Sequence, residues 1–406
     1  MTYNTLNKEH HSTVDVSQLV AIFLLMAISV AFVYSATMAN EGVAALAWYK
    51  QSWFRQIIWF GLGMGAASVV CLVDYHTLTR WAFVAYWLTI LTLIAVIIPG
   101  IGSMRYGARR WIEIGGQPFQ PSEFAKLAFI LAQAHFLSRP VDELRQPRIF
   151  WKSIAMLGLP FLLILKEPDL GSALVLVPTG FAMLLAAGTP KRYILQLLGI
   201  GGVLAVLFVA DVLYAPPKFR LPMQDYQKKR LLVYFGRDYG DYAGPGTSQA
   251  ERLKLREQQF NDSHNVRQAL IAVGSGGLTG EGWRQGQQNS LGFLPQAGKH
   301  NDFIFSVIAE EKGFVGSVIV ITLYAVILFT GIRIAGQARD RLGKLLAVGV
   351  VTLIFSHVFI NIGMNIRIMP VTGVPLPLLS YGGSSVLGSL IAMGMLQNVY
   401  IYRKAY

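Results

Sequence analysis

Five segments of this 406-residue chain gather side chains that could do chemistry. The first is GARRWIEIGGQPFQPSEFAK, residues 107–126. Arg109 and Arg110 offer two planar guanidinium forks, a shape suited to phosphate oxygens. Trp111 could lie against a sugar face or sit in an aromatic belt at a lipid boundary. Pro121 suits a helix start, Ser122 could cap that helix, and Glu123 and Lys126 are spaced to pair along one face. The second segment, Lys166-Glu167-Pro168-Asp169-Leu170-Gly171, places three charges in four residues between two apolar runs. It is either part of a site or a polar turn punctuated by Pro168 and Gly171. The third, Tyr226 to Arg230, carries Lys228, Lys229 and Arg230 in a row. That row could hold a pyrophosphate or an anionic lipid headgroup. The fourth runs from Leu294-Pro295 through His300-Asn301-Asp302 to Glu310-Glu311. Asp302 stands at the water–lipid border, where a carboxylate keeps water access while burial raises its pKa, as a general base requires. Asp is also favoured at a helix N-cap, and the two roles are compatible. The fifth, residues 369–385, interrupts an apolar run with three prolines and three glycines, among them Pro375, Gly382 and Gly383, followed by Ser384. Broken backbone at membrane depth is tolerated where it lines a cavity or is buried in protein, so this stretch reads as a site wall or as small-residue packing.

The elements that must position these residues are membrane helices. The composition is 53% hydrophobic and only 14% charged, against roughly 25% charged in soluble domains. Eight uncharged runs reach about 18 residues or more, the length a helix needs to cross the bilayer core. They lie at 16–40, 56–73, 81–104, 170–190, 193–210, 313–332, 345–366 and 368–402. Two shorter runs, 127–138 and 153–165, become long enough if their charged flanks sit at the interface. Backbone groups in lipid must be satisfied internally, so these runs are helices rather than strands. The expected architecture is an all-α polytopic membrane protein of about ten transmembrane helices, with one large extracytoplasmic loop between helices 7 and 8. Residues 1–16 form a cytoplasmic tail, 17–214 helices 1–7, 215–302 the loop, and 303–406 helices 8–10 with a short cytoplasmic tail.

An even helix number puts both termini on one side. Placing them in the cytoplasm gives the inner segments about 14 of the 35 Lys and Arg residues, in line with the positive-inside rule. The net charge of +13 is then explained by loops facing anionic lipid, with no need for nucleic acid. All five segments fall at the outer end. Within the loop, residues 251–259 show helical spacing of opposite charges, 236–249 look flexible, and 274–302 are too patterned to be filler. The lone Cys71 excludes a disulfide framework. No Walker loop, dinucleotide fingerprint, HExxH or GxSxG elbow occurs.

At these segments the chain resembles the SEDS family of cell-wall polymerases, whose members include RodA and FtsW. The matching motifs are GARRWI, QPSEFAK, KEPDLG, AVGSGGLTGEG, FLP…HNDFIF…EE.G and MPVTGVPLPLLSYGGSS, in order over about 17–402. The MPVTGVPLP wording is nearer the elongation (RodA) type than the division (FtsW) type. The resemblance implies a ten-helix fold in the bacterial inner membrane and peptidoglycan glycosyltransferase activity on lipid II at the outer face. It implies that Asp302 is the essential aspartate, that Trp111 follows the paired basic residues, and that Glu123 and Lys126 are a linked acid and base. It implies as partner a class B penicillin-binding protein transpeptidase, with the elongation proteins MreC, MreD and RodZ in the wider assembly. The chain departs from the family pattern at Glu167, where Gln is common, at Asn301, where Thr is common, at His264, where Tyr is usual, and at Arg367, where Gly is usual. Its loop is also longer around 237–263.

Residues and resemblance together give one expected division of labour. Asp302 acts as base on the acceptor hydroxyl. Arg109, Arg110, Lys166 and Arg230 stabilise the leaving pyrophosphate, with Asp169 and Ser384 also facing substrate. Glu123, Lys126, His300, Glu310, Pro375, Gly382 and Gly383 support the site. A divalent ion, Mg or Mn, could share the charge, although no ligand cluster demands one. Two rivals stand beside this. A flippase or transporter would also have broken helices and intramembrane charges, but would favour charges at the midplane. A non-catalytic scaffold would tolerate loss of Asp302.

Overall fold

The computed structural model describes residues 14–38, 42, 45–105, 108–215, 225–237, 239, 248–294 and 300–404. The apolar runs form helices in the expected order: α1 (Val16–Met38), α2 (Ser52–Leu72), short α3 (Tyr75–Arg80) and α4 (Ala82–Ile97). After a small sheet come α5 (Pro121–Leu137), short α6 (Val141–Leu144), α7 (Pro147–Lys166), α8 (Leu170–Ala186) and α9 (Lys191–Tyr214). Loop helices α10 (Asp225–Phe235), α11 (Gln249–Ser275) and α12 (Gln287–Ser290) precede α13 (Ile304–Gln337), α14 (Arg341–Asn365) and α15 (Gly383–Ile401). Seven of these are long and apolar enough to cross a membrane by length and composition, and α4 and α8 are shorter apolar helices. α5 and α7 extend the two short runs to their charged flanks, as expected.

Close approach of small residues builds the bundle. α15 lies along α2 so tightly that a Cβ on Gly394 would come within 2.9 Å of Ala67, and one on Gly383 within 2.6 Å of Trp59. Helices in lipid gain from such contact because van der Waals packing replaces the missing hydrophobic drive. α14 is the central helix, packed against α5, α8, α13 and α15. α9 lies at the edge, with only Ile194 and Val212 buried. At one end, buried Asp15 joins α1 to Gln397 on α15 and pairs with Arg333 on α13.

Two expectations are corrected. The run 81–104 is not one span: α4 stops at Ile97, before Pro99 and Gly100. The chain then enters an antiparallel sheet of β1 (Gly102–Arg105), β2 (Ala108–Ile114) and β3 (Gln117–Phe119). The Gly115-Gly116 turn, both residues at positive φ, joins β2 to β3, so the fold is helical with one small sheet. Second, Ser122 does not cap α5. Gln120 holds the N-cap position, Pro121 is in the first turn, and Ser122 turns its hydroxyl toward Asp169 at 3.4 Å. The charged stretch 251–259 lies, as its spacing suggested, in a helix, the 27-residue α11 opened by a capping box of Ser248 and Glu251. Most of 236–249 lies outside the described residues.

α13 is two arms. Gly313 has φ 62° and ψ −156°, a non-helical conformation inside it. Contacts give the arms opposite senses along α1. Asn301, before the first arm, meets Ser380, which Gln56 ties to Ser29, and Glu311 near its end meets Ser35. The second arm returns from there to Arg333 beside Asp15. The loop after α11 fills the break. Phe314 and Val315 N–H donate to the carbonyls of Gly277 and Leu278, while Glu281 and Gly282 N–H donate to those of Glu310 and Glu311. The break thus leaves no helix end unsatisfied at these four groups.

Candidate active site at the loop–helix junction

Residues 366–382 are the hub. This irregular stretch dips into the bundle between α14 and α15, as its prolines and glycines led one to expect. On one side it holds the His300-Asn301-Asp302 turn. Tyr381 N–H donates to His300 O (2.9 Å), and the Ser380 hydroxyl donates to Asn301 O (2.6 Å). The third carbonyl, of Asp302, accepts from Asn361 (3.1 Å) and Asn365 (3.0 Å) of α14. Three successive carbonyls are therefore fixed by hydrogen bonds, and the half-buried Asp302 is borne on a clamped backbone. Asp302 is not the N-cap. Phe303 holds that position, because the helix begins one residue later, at Ile304. The His300 ring lies 5.4 Å from that of Tyr381.

On its other side the hub meets the KEPD turn. A Cβ on Gly171 would come within 2.9 Å of the Thr372 carbonyl, so only glycine allows α8 this approach. Asp169 caps α8 through Ser172 N–H (3.2 Å) and accepts from Gln120 Nε2 (3.0 Å). Arg110 reaches across from β2, donating to the carbonyls of Glu167 and Pro168 with a guanidinium nitrogen 3.7 Å from Asp169. Ser384 closes the ring by accepting from Gln120 N–H at 3.0 Å. Arg110, Asp169, Gln120 and Ser384 thus form one network. Arg109 Nε is buried with no partner among the described residues, and Trp111 is half-buried in β2. Lys166 is exposed at the end of α7. Arg230 lies in α10, its side chain outside the described residues. Glu167 is 1% exposed, and neither carboxylate oxygen has a partner among the described residues. Burial first, then the nearby Asp169 charge, pushes its carboxyl up to about 9.

Beneath the hub, Glu123 and Lys126 pair at 2.7 Å. Lys126 Nζ also lies 2.9 Å from His357 Nε2, and His357 Nδ1 lies 3.2 Å from Pro375 O. Since Nε2 accepts from the ammonium, Nδ1 carries the hydrogen and donates to Pro375. The Pro375 carbonyl thus ends this chain of polar contacts. A cavity of about 10 Å³, lined by Glu123, Lys126, His357 and Pro377, adjoins this chain. Gly382 N–H donates to Gln56 Oε1 (3.4 Å), and Gly383 gives α15 its close pass over Trp59. Glu310 is fully buried and accepts from Gln288 N–H (2.6 Å).

Sequence reasoning missed Asn361, Asn365, Ser380 and His357. The signal present was two asparagines four apart in an apolar run, which places both on one helix face. Among the described residues no group of three or more His, Cys, Asp or Glu could hold a metal ion.

A family of cell cycle proteins named for FtsW, RodA and SpoVE matches residues 16–405. The stage V sporulation protein E of Bacillus subtilis is 36% identical over 398 residues, covering 96% of this chain and 98% of that protein. The peptidoglycan glycosyltransferase MrdB of Escherichia coli is 32% identical over 392 residues, covering 96% of this chain and 94% of that one. A solved structure described as showing structural coordination of polymerization and crosslinking by a peptidoglycan synthase complex aligns with TM-score 0.73. Its identity is 25%, over 97% of this chain and 99% of the other. The crystal structure of Thermus thermophilus rod shape determining protein RodA aligns with TM-score 0.64 at 25% identity, over 97% and 99%.

Proposed function

The chain belongs to the FtsW, RodA and SpoVE family, and on that premise we propose that it is a peptidoglycan glycosyltransferase polymerising lipid II at the outer face of the inner membrane. The observation that carries the mechanism is the triple clamp beneath Asp302. A general base must be held within hydrogen-bond reach of the proton it removes, and a fixed backbone limits where the carboxylate can swing. In this mechanism the acceptor hydroxyl loses its proton to Asp302, and its oxygen attacks the donor's anomeric carbon. The pyrophosphate then leaves with the bonding pair, giving a β-1,4 link. Arg109, Arg110, Lys166 and Arg230 are the cations for that leaving charge, with Arg110 already oriented by the KEPD turn. Asp169 and Ser384 hold the wall, while Glu123, Lys126 and His357 fix it from below.

The finer assignments are also proposals. Both termini are cytoplasmic, residues 215–302 are extracytoplasmic, and the flanking segments form one membrane domain. The role is elongation and shape maintenance, supported by the MPVTGVPLP stretch and by the likeness to RodA. The partner is a class B penicillin-binding protein, supported by the likeness to a synthase complex that couples polymerization to crosslinking.

The test is reconstitution of the purified chain with lipid II, with and without a class B partner. Wild type should make polymer. Asp302→Asn should make none while melting at the same temperature. Lipid II crossing vesicles without polymer would favour a flippase instead, and polymer from Asp302→Asn would remove the base role.

A further inference from the structure

We propose that Tyr49, Trp48, Phe54, Trp53, Tyr34 and Trp283 form a track that binds a β-1,4-linked strand of N-acetylated amino sugars. The proposal rests on the glycosyltransferase function above. The six rings are consecutive neighbours, with centroid separations of 5.9, 4.6, 5.9, 6.0 and 6.1 Å along that order. They come from four places in the chain: the helical turn Trp48–Lys50, the first turn of α2, the end of α1, and the loop that fills the break in α13. Trp48 is 60% exposed, Tyr49 53% and Trp283 47%.

The array starts from the supports of the catalytic turn. Ser35, beside Tyr34, donates to Glu311 on the short arm that follows Asp302. Gln56, three residues after Trp53, donates to the Ser380 carbonyl, and the Ser380 hydroxyl holds Asn301. These contacts tie the segments that carry Tyr34 and Trp53 to the two ends of the stretch from Asn301 to Glu311. The rings are also oriented by polar groups. Gln51 accepts from Trp53 Nε1 (2.6 Å) and donates to Leu46 O (2.8 Å). Arg284 lies 5.4 Å from the Tyr34 centroid and Lys50 5.9 Å from that of Tyr49. Aromatic faces suit the C–H faces of pyranose rings, and cations along the edge suit the carboxylates of peptide stems. An aromatic belt anchors rings one by one in headgroups. Here the rings pack on one another, and Trp283 and Arg284 arrive from the polar loop.

The test uses the full chain in nanodiscs and a soluble hexamer of β-1,4-linked N-acetylglucosamine as probe. Asp302→Asn, which cannot elongate anything, should bind the hexamer with saturable quenching of tryptophan fluorescence. Adding Trp48→Ala and Trp283→Ala should weaken that binding roughly tenfold or more, and the Phe variants should restore most of it. With Asp302 intact, the double Ala variant should make shorter strands at an initial rate within about twofold of wild type, since the track acts on product retention, not on the proton transfer at Asp302. Absence of hexamer binding, or a double variant that keeps binding and strand length but loses vesicle partitioning, would overturn the track in favour of a lipid anchor. If wild type makes no polymer, the enzymatic function fails, and hexamer binding by the same protein still decides the track.

Discussion

Asn365 donates from Nδ2 to the carbonyl oxygen of Asp302 at 3.0 Å, while its own Oδ1 accepts the Ser306 hydroxyl at 2.6 Å. One turn earlier, Asn361 donates to the same carbonyl and to that of Val374. A single face of α14 therefore holds both the His300-Asn301-Asp302 turn and the hub loop. Both asparagines are fully buried, so each donor lost leaves an acceptor that water does not readily reach.

Asn365→Ala should cost about 1–3 kcal/mol in stability, through the unpaired Ser306 hydroxyl and an Asp302 carbonyl left to Asn361 alone. Its larger effect should be on polymerisation, which should fall at least roughly tenfold because the base loses one of the two donors that fix its carbonyl. Asn365→Asp keeps the acceptor for Ser306 but loses the donor, and should be as inactive as the alanine variant. Melting curves and initial rates on lipid II measure both. A folded, fully active Asn365→Ala would detach Asp302 from its clamp.

The chain Glu123, Lys126, His357 and Pro375 O makes a second prediction. Glu123→Ala leaves a buried ammonium without its carboxylate and should destabilise by about 3–5 kcal/mol. Replacing both members, Glu123→Gln with Lys126→Met, removes the charges together and should recover much of that loss. Thermal melts of the three proteins in one detergent test this, and a double variant no better than Glu123→Ala would exclude a charge-pair origin.

Glu167 gives a pH dependence with a definite sign. Its folded pKa is about 9, above the ordinary carboxyl value of 4.5. The folded state therefore holds a proton that the unfolded state has released across that window. Stability is fully present below about 4.5 and is lost as pH rises toward 9, by at most roughly 1.4 kcal/mol per unit. Glu167→Gln should flatten this slope, raising the melting temperature at pH 8 with little change at pH 5. Equal gains at both pH values would mean that the carboxyl is not the titrating group.

How much of this was legible in the sequence follows from the range of each signal. Helix order came from apolar runs, which are local. The Glu123–Lys126 pair came from helical spacing, also local. The small sheet was hidden because 81–104 is apolar beyond Pro99, and hydropathy does not register a turn. The Asn361 and Asn365 clamp depends on contacts 59 and 63 residues away, so the local spacing put both on one helix face but could not say what that face holds. Arg367 is the reverse case. Its departure from the usual glycine was visible, but the reason is the positive φ of 61° that ends α14.

Arg367→Gly should therefore stabilise the protein, because the side chain pays a left-handed penalty of roughly 1–2 kcal/mol that glycine lacks, offset in part by glycine's greater unfolded-state freedom. Arg367 is exposed, so little packing is lost. A melting temperature that drops on this change would show that the guanidinium does more at this position than the backbone costs.

Gly313 supports the sharpest prediction, because one residue sets the direction of the arm that follows Asp302. Its φ and ψ lie in a region open essentially to glycine alone. A Cβ there would also come within 2.7 Å of the Leu278 carbonyl group. Gly313→Ala must either straighten α13 or expel the 277–282 segment, and both break the four hydrogen bonds across the gap. The strain contributes about 1–3 kcal/mol and each lost bond about 1 kcal/mol. Gly336 is the control. It lies in the same helix with open space around its Cβ position, so Gly336→Ala should be neutral or stabilising by up to about 1 kcal/mol. Hydrogen exchange locates the damage. In Gly313→Ala, amides 281, 282, 314 and 315 should lose protection while those of α14 and α15 keep it, and polymerisation should fail because the Asp302 arm is re-aimed. Protection lost uniformly across the bundle would mean that Gly313 serves global packing, not the direction of this arm.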